Sequence, residues 1–372
     1  MELKSFDHTP RTRLIFGSGC TSRVGELARE LGATRALIVS DPGIVKAGYP
    51  AQAQALIEAA GIAAQVFAEV HENPSTTDVD QCVAVARDFG ADLLVGLGGG
   101  SSMDTAKGCN FILTNGGQMK DYWGVGKATK PMLPLIAIPT TAGTGSECQS
   151  FALISDAETH VKMACGDAKA AARIALLDPD LTISQPHRVT VCTGIDALSH
   201  ALESAVTTKH NALSAVYSRE AFRLCHGGFS KVLREPTNVD ARGQMLLGAA
   251  YAGIAIENSM LGAAHSCANP LTAYFDVVHG EAVGVMLPHI IRFNSHLPEI
   301  AAIYESYFDG DLADRVSELL WEAQMPRQIS HYGITEADLP KLAAMAAKQW
   351  TAQFNPRPVT ESDFVELFRA AL

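Results

Sequence analysis

Asp196 and His200 stand four residues apart in Gly194-Ile-Asp-Ala-Leu-Ser-His200. On a helix that spacing puts both side chains on one face, about a turn apart. Downstream, Leu261-Gly-Ala-Ala-His265 and Val277-Val-His279-Gly-Glu281 each set a histidine among apolar or small residues. Such surroundings disfavour a charged imidazolium, whereas neutral imidazole suits a divalent metal. One carboxylate and three histidines form a donor set for Fe2+ or Zn2+. For each histidine taken alone the competing reading is a hydrogen-bonded core residue, and spacing does not say whether His265 and His279 reach the Asp196–His200 pair. The remaining histidines (8, 71, 160, 187, 210, 226, 289, 296 and 331) read as surface or structural, with His289, behind a proline in an apolar run, the weakest case.

Two loops have the composition of a phosphate cradle. Gly96-Leu-Gly-Gly-Gly-Ser-Ser-Met-Asp104 follows an apolar run and opens a helical pattern. Glycines let a backbone approach a phosphate, and a helix N-terminus offers its N–H groups to the anion. Ser101 and Ser102 are candidates to cap that helix and to donate to phosphate oxygens. A serine stands where the last glycine of the G-x-G-x-x-G fingerprint would be, and a tight turn without a ligand is the alternative. Pro139-Thr-Thr-Ala-Gly-Thr-Gly-Ser-Glu147 also follows an apolar run and is rich in hydroxyls. Two such loops at strand ends predict a nucleotide crevice at the carboxyl edge of a sheet. Asp41, ending a third apolar run, could accept from an adenosine ribose and repel a 2′-phosphate, or could simply start an Asp-Pro turn.

The elements that must position these residues fall into two halves. Ala36–Asp41, Ala64–Val70, Asp92–Gly98, Leu133–Pro139 and Arg173–Asp178 read as strands. Ser22–Leu31, Tyr49–Ala60, Thr77–Phe89 and Ser102–Thr114 read as helices between the earlier ones. That alternation predicts βαβ units and a parallel sheet, and the nearly continuous apolar runs predict strands covered on both faces. From about Ile183 no strand is legible, and Ile195–Val206, Ser214–His226, Asp240–Glu257, Gly280–Phe293 and Pro340–Lys348 carry helical periodicity. The proline-rich connector Asp178–Pro186 therefore separates an expected α/β domain, 1–183, from an expected all-α domain, 184–372.

Composition narrows the partners. The 372 residues are 47% hydrophobic and 19% charged, which is ordinary globular usage rather than a disordered chain. The net charge of −11 disfavours nucleic acid or an anionic membrane as partner. The N-terminal run MELKSFDHTPRTR lacks the apolar core of a signal peptide, and the apolar stretch Met245–Ile256 is too short to span a bilayer. Eight scattered cysteines without a C-x-x-C pair predict buried thiols in a reducing, cytoplasmic compartment.

Taken in order, these motifs resemble the iron-dependent (group III) alcohol dehydrogenase family. The likeness runs through Gly98-Gly-Gly-Ser-Ser-Met-Asp-Thr-Ala-Lys107, Pro139–Glu147, Asp178-Pro-Asp-Leu-Thr182, Gly194–Glu203 and His279-Gly-Glu-Ala-Val-Gly with its later Leu-Pro-His289. The resemblance implies a Rossmann-like N-terminal domain, a helical C-terminal domain of the dehydroquinate-synthase-like kind, and an active site in the cleft between them. It implies that Asp196, His200, His265 and His279 bind the metal. It implies dinucleotide contacts from Asp41, Asn73, Gly98, Gly99, Gly100, Ser101, Ser102, Thr140, Thr141, Thr144 and Lys162, of which Asn73 and Lys162 rest on the resemblance alone. A homodimer is implied because many members form one. Many members also carry a histidine four residues after the third ligand, where this chain has Asn269. Asparagine hydrogen-bonds but does not titrate. A titrating relay through this position is thus put in question, leaving water or the cofactor ribose as proton exit.

The expected reaction is reversible hydride transfer between NAD(H) and a primary alcohol/aldehyde pair, with Fe2+ as metal and Zn2+ as alternative. NADP remains open because Lys46 lies near Asp41. Glycerol-dehydrogenase-like and maleylacetate-reductase-like oxidoreductases share the architecture, with fewer metal ligands or an incomplete set. A dehydroquinate-synthase-like lyase would need a basic, phosphate-binding substrate site, which is not evident. A non-catalytic nucleotide binder is the reading from another class, and metal content of the purified protein separates it from the enzyme.

Overall fold

The computed structural model describes residues 4–159 and 161–372. Residues 1–3 of the N-terminal run and His160, read above as surface or structural, lie outside them. The chain divides into two compact units. One comprises Thr9–Thr141 and Gly145–Gln185; the other comprises residues 4–8, Ala142–Thr144 and Pro186–Leu372.

The first unit is built on a six-stranded sheet: β1 (Arg13–Phe16), β2 (Arg35–Val39), β3 (Ala63–Phe67), β4 (Leu93–Gly98), β6 (Leu135–Pro139) and β9 (Ile174–Leu177). Every pairing is parallel, in the order β1-β9-β6-β4-β2-β3. Neighbouring residues on a strand serve opposite layers. Leu37, Val39, Leu94 and Ala137 pack with residues of α4 (Thr76–Phe89) and α5 (Gly100–Asn115). Ala36, Ile38, Val95 and Ile136 pack with residues of α1 (Val24–Glu30) and α3 (Tyr49–Ala59). Double coverage is why these strands read as continuous apolar runs. From β2 the chain moves outward to β3; from β4 it moves outward the other way, through β6 to β9. The strand order reverses between β2 and β4, and open α/β sheets bind ligands at the carboxyl ends of strands at such a point.

Several elements of this unit were not legible. β1 is a short edge strand whose two terminal residues, Arg13 and Phe16, are exposed. β5 (Gly124–Val125), β7 (Phe151–Ser155) and β8 (Lys162–Gly166) form a second sheet, in which β8 runs parallel to β5 and antiparallel to β7. The five-residue helix α2 (Pro42–Lys46) is capped by Asp41, whose Oδ1 accepts from Ile44 N at 3.1 Å.

The second unit is helical, and no strand occurs in it among the described residues. Its helices are α6 (His187–Ser204), α7 (Ala212–Arg234), α8 (Val239–Ser259), α9 (Ala263–Phe275), α10 (His279–Asn294), α11 (Pro298–Glu305), α12 (Leu312–Glu322), α13 (Leu339–Ala346) and α14 (Glu361–Ala370). Helix α6 packs against α7, α8 and α10, and α10 also packs against α9. Helix α6 starts eight residues before the Ile195 expected from periodicity. Helix α9 was not expected because Pro270 lies inside it, and proline ordinarily marks a helix boundary. No disulfide joins the eight cysteines. No helix among the described residues is long and apolar enough to cross a membrane.

Candidate functional site

In the first unit, three loops line up at the carboxyl ends of the adjacent strands β6, β4 and β2. Asp41 follows β2, Gly98–Ser102 leads from β4 into α5, and Thr140 and Thr141 follow β6. Ser102 Oγ donates to Asp41 Oδ2 at 3.4 Å, and Thr140 N donates to Gly98 O at 2.9 Å. Gly98 has φ +153, and a Cβ there would lie 2.3 Å from Ser102 Oγ and 3.1 Å from Asp41 Oδ2. Only glycine brings the chain past Asp41 and into α5 at this point. A Cβ on Gly99 would meet the Thr141 side chain at 3.5 Å, which closes the cradle on the β6 side.

One expectation about this loop is corrected. The N-cap of α5 is Gly99, with no side-chain cap, while Gly100, Ser101 and Ser102 form the first helical turn. Ser101 and Ser102 are therefore not capping residues. The N-terminal N–H groups of a sixteen-residue helix face an approach without a capping side chain, as an anion site requires. Thr144 falls in Ala142–Thr144, which belongs to the helical unit. Asn73 and Lys162 are brought together, with Lys162 Nζ donating to Asn73 Oδ1 at 3.3 Å. Asn73 has φ +52, a left-handed conformation that asparagine tolerates better than most residues.

Below this cradle lies a buried charged cluster that sequence reasoning missed. Lys107 is fully buried and donates to Ser146 O, Ser146 Oγ and Phe151 O at 2.6, 2.7 and 2.9 Å. Ser146 Oγ donates to Asp104 Oδ1 at 2.7 Å, and Leu153 N donates to Asp104 Oδ2 at 3.2 Å. Burial pushes the Asp104 carboxyl upward, against the pull of Lys107. Burial pushes Glu147 up to about 7. The spacing Asp104/Lys107 on one helix face was the available signal.

In the second unit, α6 presents Asp196, His200 and Glu203, spaced i, i+4 and i+7 along one face. His265 lies in the first turn of α9, and His279 is the first residue of α10. Asp196, His200 and His265 are buried; His279 is half-buried. His200 Nε2 is 3.1 Å from His265 Nε2 and 3.3 Å from Asp196 Oδ1. Asp196 Oδ1 is 3.4 Å from His265 Nε2 and 4.0 Å from His279 Nε2. Donor atoms of Asp196, His265 and His279 lie mutually within 4.8 Å, and His200 joins them through Asp196 and His265.

These distances test the fit of a metal. Donors about 2.0–2.2 Å from a tetrahedral ion stand about 3.3–3.6 Å apart. Two imidazole nitrogens face each other here, and Asp196 Oδ1 is buried without a well-formed hydrogen bond. A cation among these donors resolves both features. Burial opposes ionisation of Asp196, yet the surrounding histidines, His200 foremost, hold its carboxyl far below the usual range. Burial pushes His200 down. Burial acts the same way on His265, but Glu203 and Asp196 override it and raise the ring to about 9. A pocket that draws a proton onto a buried imidazole is one that favours positive charge.

Glu203 was also missed as a participant. Its Oε2 accepts from His265 Nδ1 and its Oε1 accepts from Ala264 N at 2.7 Å. Its place seven residues after Asp196 was the signal. Asn269, one turn beyond His265, donates from Nδ2 to Gln349 Oε1 at 2.9 Å. Cys267 is buried, and burial pushes its thiol up, as packing rather than nucleophilic chemistry requires.

Comparison with known proteins shows the family. Residues 10–179 match the iron-containing alcohol dehydrogenase family, and residues 190–372 match the C-terminal part of the Fe-containing alcohol dehydrogenase family. Alcohol dehydrogenase 4 of Schizosaccharomyces pombe is 32% identical over 372 residues, covering 96% of this chain and 87% of that protein. The NAD-dependent methanol dehydrogenase of Bacillus methanolicus is 32% identical over 371 residues, covering 96% and 97%. The crystal structure of a 1,3-propanediol oxidoreductase matches with a TM-score of 0.95 at 31% identity, covering 99% of this chain and 100% of that one. The chain belongs to the iron-containing alcohol dehydrogenase family. Its reaction is the NAD(H)-dependent interconversion of alcohols and aldehydes, and iron is the family's metal.

Proposed function

We propose that the substrates are small primary alcohols and their aldehydes, and that Asp196, His200, His265 and His279 hold the catalytic Fe2+, with Zn2+ able to replace it. The convergence of one carboxylate oxygen and three imidazole nitrogens in a buried pocket carries this reading. The names of the methanol and propanediol relatives support the substrate class. When bound, the metal supplies Lewis acidity toward the substrate oxygen, and the nicotinamide gives or takes the hydride.

The chain's own residues do the rest. Asp196 contributes the one ligand charge, and neutral imidazoles leave the pocket net cationic toward an oxygen once loaded. The α5 N-terminus and Gly98–Ser102 hold the pyrophosphate of NAD, and Asp41 accepts from the adenosine ribose while disfavouring a 2′-phosphate. Thr140 and Thr141 add hydroxyl donors, and Asn73 with Lys162 contacts the dinucleotide from the β8 side. Asn269 orients Gln349 and carries no exchangeable charge, so the proton leaves through water or the cofactor ribose. The protein acts as a homodimer in the cytoplasm; eight unbridged thiols support the reducing compartment.

Replacing His265 by alanine tests the ligand set. Bound metal and turnover should both fall to background, and near-normal turnover in the variant contradicts the assignment.

A further inference from the structure

We propose that Glu203 is the positioning carboxylate of the metal centre: it fixes the tautomer and aim of His265 and thereby sets how tightly the metal is held. The inference rests on the ligand assignment above and adds to it a residue that touches neither metal nor substrate.

The geometry leaves Glu203 little other employment. The side chain is buried, at 4% exposure, on the same face of α6 as Asp196 and His200. Both of its oxygens are committed to consecutive residues at the start of α9: Oε1 to Ala264 N, Oε2 to His265 Nδ1. A carboxylate accepting at Nδ1 keeps the proton there and leaves the Nε2 lone pair free for a metal. The backbone is shaped for this approach. A Cβ on Gly262 would lie 3.1 Å from Glu203 Oε1 and 2.9 Å from Asn355 Oδ1. Asn355 Oδ1 in turn accepts from Ala263 N at 3.2 Å, so two successive N–H groups of the α9 first turn are satisfied from outside the helix. Asn355 is braced by reciprocal amide bonds with Asn294 of α10, at 2.7 and 3.2 Å. One carboxylate thus registers α6, which brings two ligands, against α9, which brings the third.

Glutamine is the discriminating replacement. It keeps the shape but has one oxygen and one NH2 where Glu203 has two acceptors. With its oxygen toward Ala264 N, the NH2 faces His265 Nδ1 and forces the ring proton onto Nε2, into the metal pocket. With the amide reversed, two N–H groups collide at Ala264.

The test measures Zn2+ dissociation constants by chelator competition, with Co2+ absorption as a spectroscopic reporter, in wild type, Glu203→Gln and His265→Ala. Glu203→Gln should bind Zn2+ about 10–100-fold more weakly and change the Co2+ spectrum while its NADH affinity stays at the wild-type value. If Glu203→Gln binds Zn2+ within threefold of wild type and leaves the Co2+ spectrum unaltered, while His265→Ala binds weakly, the proposal falls and the ligand assignment stands. If His265→Ala itself binds as wild type does, the ligand assignment fails and takes the proposal with it. Should Glu203→Gln fold poorly, Zn2+-loaded wild type labelled with 15N-histidine answers the same question. His265 should carry its proton on Nδ1, and a bare Nδ1 overturns the proposal.

Discussion

Replacing Glu147 by glutamine should abolish a specific pH dependence of stability. Glu147 sits in the short turn Ser146–Cys148 that ends the hydroxyl-rich loop after β6. Its side chain is buried, and Oε1 has no hydrogen-bond partner among the described residues. Burial raises the carboxyl from 4.5 to about 7, opposed by its own backbone N–H and by Lys107. Between these two values the folded chain keeps a proton that the unfolded chain has released. Stability is therefore full below pH 4.5, declines as pH rises, and levels off above about 7. The interval corresponds to about 3 kcal/mol. Glutamine cannot titrate, so Glu147→Gln should lack this decline and gain about 3 kcal/mol on wild type between pH 4.5 and pH 8. Urea denaturation of both proteins across that range measures the difference, with Trp123 reporting on the first unit. Parallel stability curves for wild type and variant would refute the reasoning, because they would mean that Glu147 titrates alike in folded and unfolded chains.

Two further outcomes concern the cofactor cradle. Gly98→Ala puts a Cβ 2.3 Å from Ser102 Oγ on a backbone at φ +153. With roughly 1–3 kcal/mol of strain the loop must shift, and NADH should bind roughly tenfold or more weakly in a fluorescence titration; unchanged affinity would remove this loop from the site. Asp41→Ser takes away the carboxylate that disfavours a 2′-phosphate, so the ratio of kcat/KM for NADPH over NADH should rise by about tenfold. A constant ratio would leave Asp41 as a cap of α2 alone.

Legibility followed the physics of each element. Four of the five strands read from the sequence, β2, β4, β6 and β9, are buried on both faces, where an apolar run has no competing explanation, while the edge strand β3 was read despite exposing Ala63 and Gln65. β1, β7 and β8 escaped because short, partly exposed strands carry neither a continuous run nor a clean alternation. The donor types of the metal centre were legible, and so was the pairing of Asp196 with His200, which is local to one helix. The approach of His265 and His279 was not, because it depends on the packing of α9 and α10 and because Pro270 disguised α9. Glu203 stood in plain sight within the Gly194–Glu203 motif. Its role emerges only when α9 delivers Ala264 N and His265 Nδ1 to its two oxygens. The pairing of Asn73 with Lys162 is a contact between distant segments that no local pattern encodes.

The central claim is that the Asp196, His200, His265 and His279 cluster holds the ion that makes this chain an aldehyde reductase and alcohol dehydrogenase. Its most direct test is anaerobic NADH oxidation with short aldehydes, using chelator-stripped protein returned to Fe2+, to Zn2+ or to no metal. Turnover should be absent without metal and restored by Fe2+ or Zn2+. Equal turnover in the metal-free sample would contradict the claim, as would no turnover with either ion in protein that binds both NADH and metal.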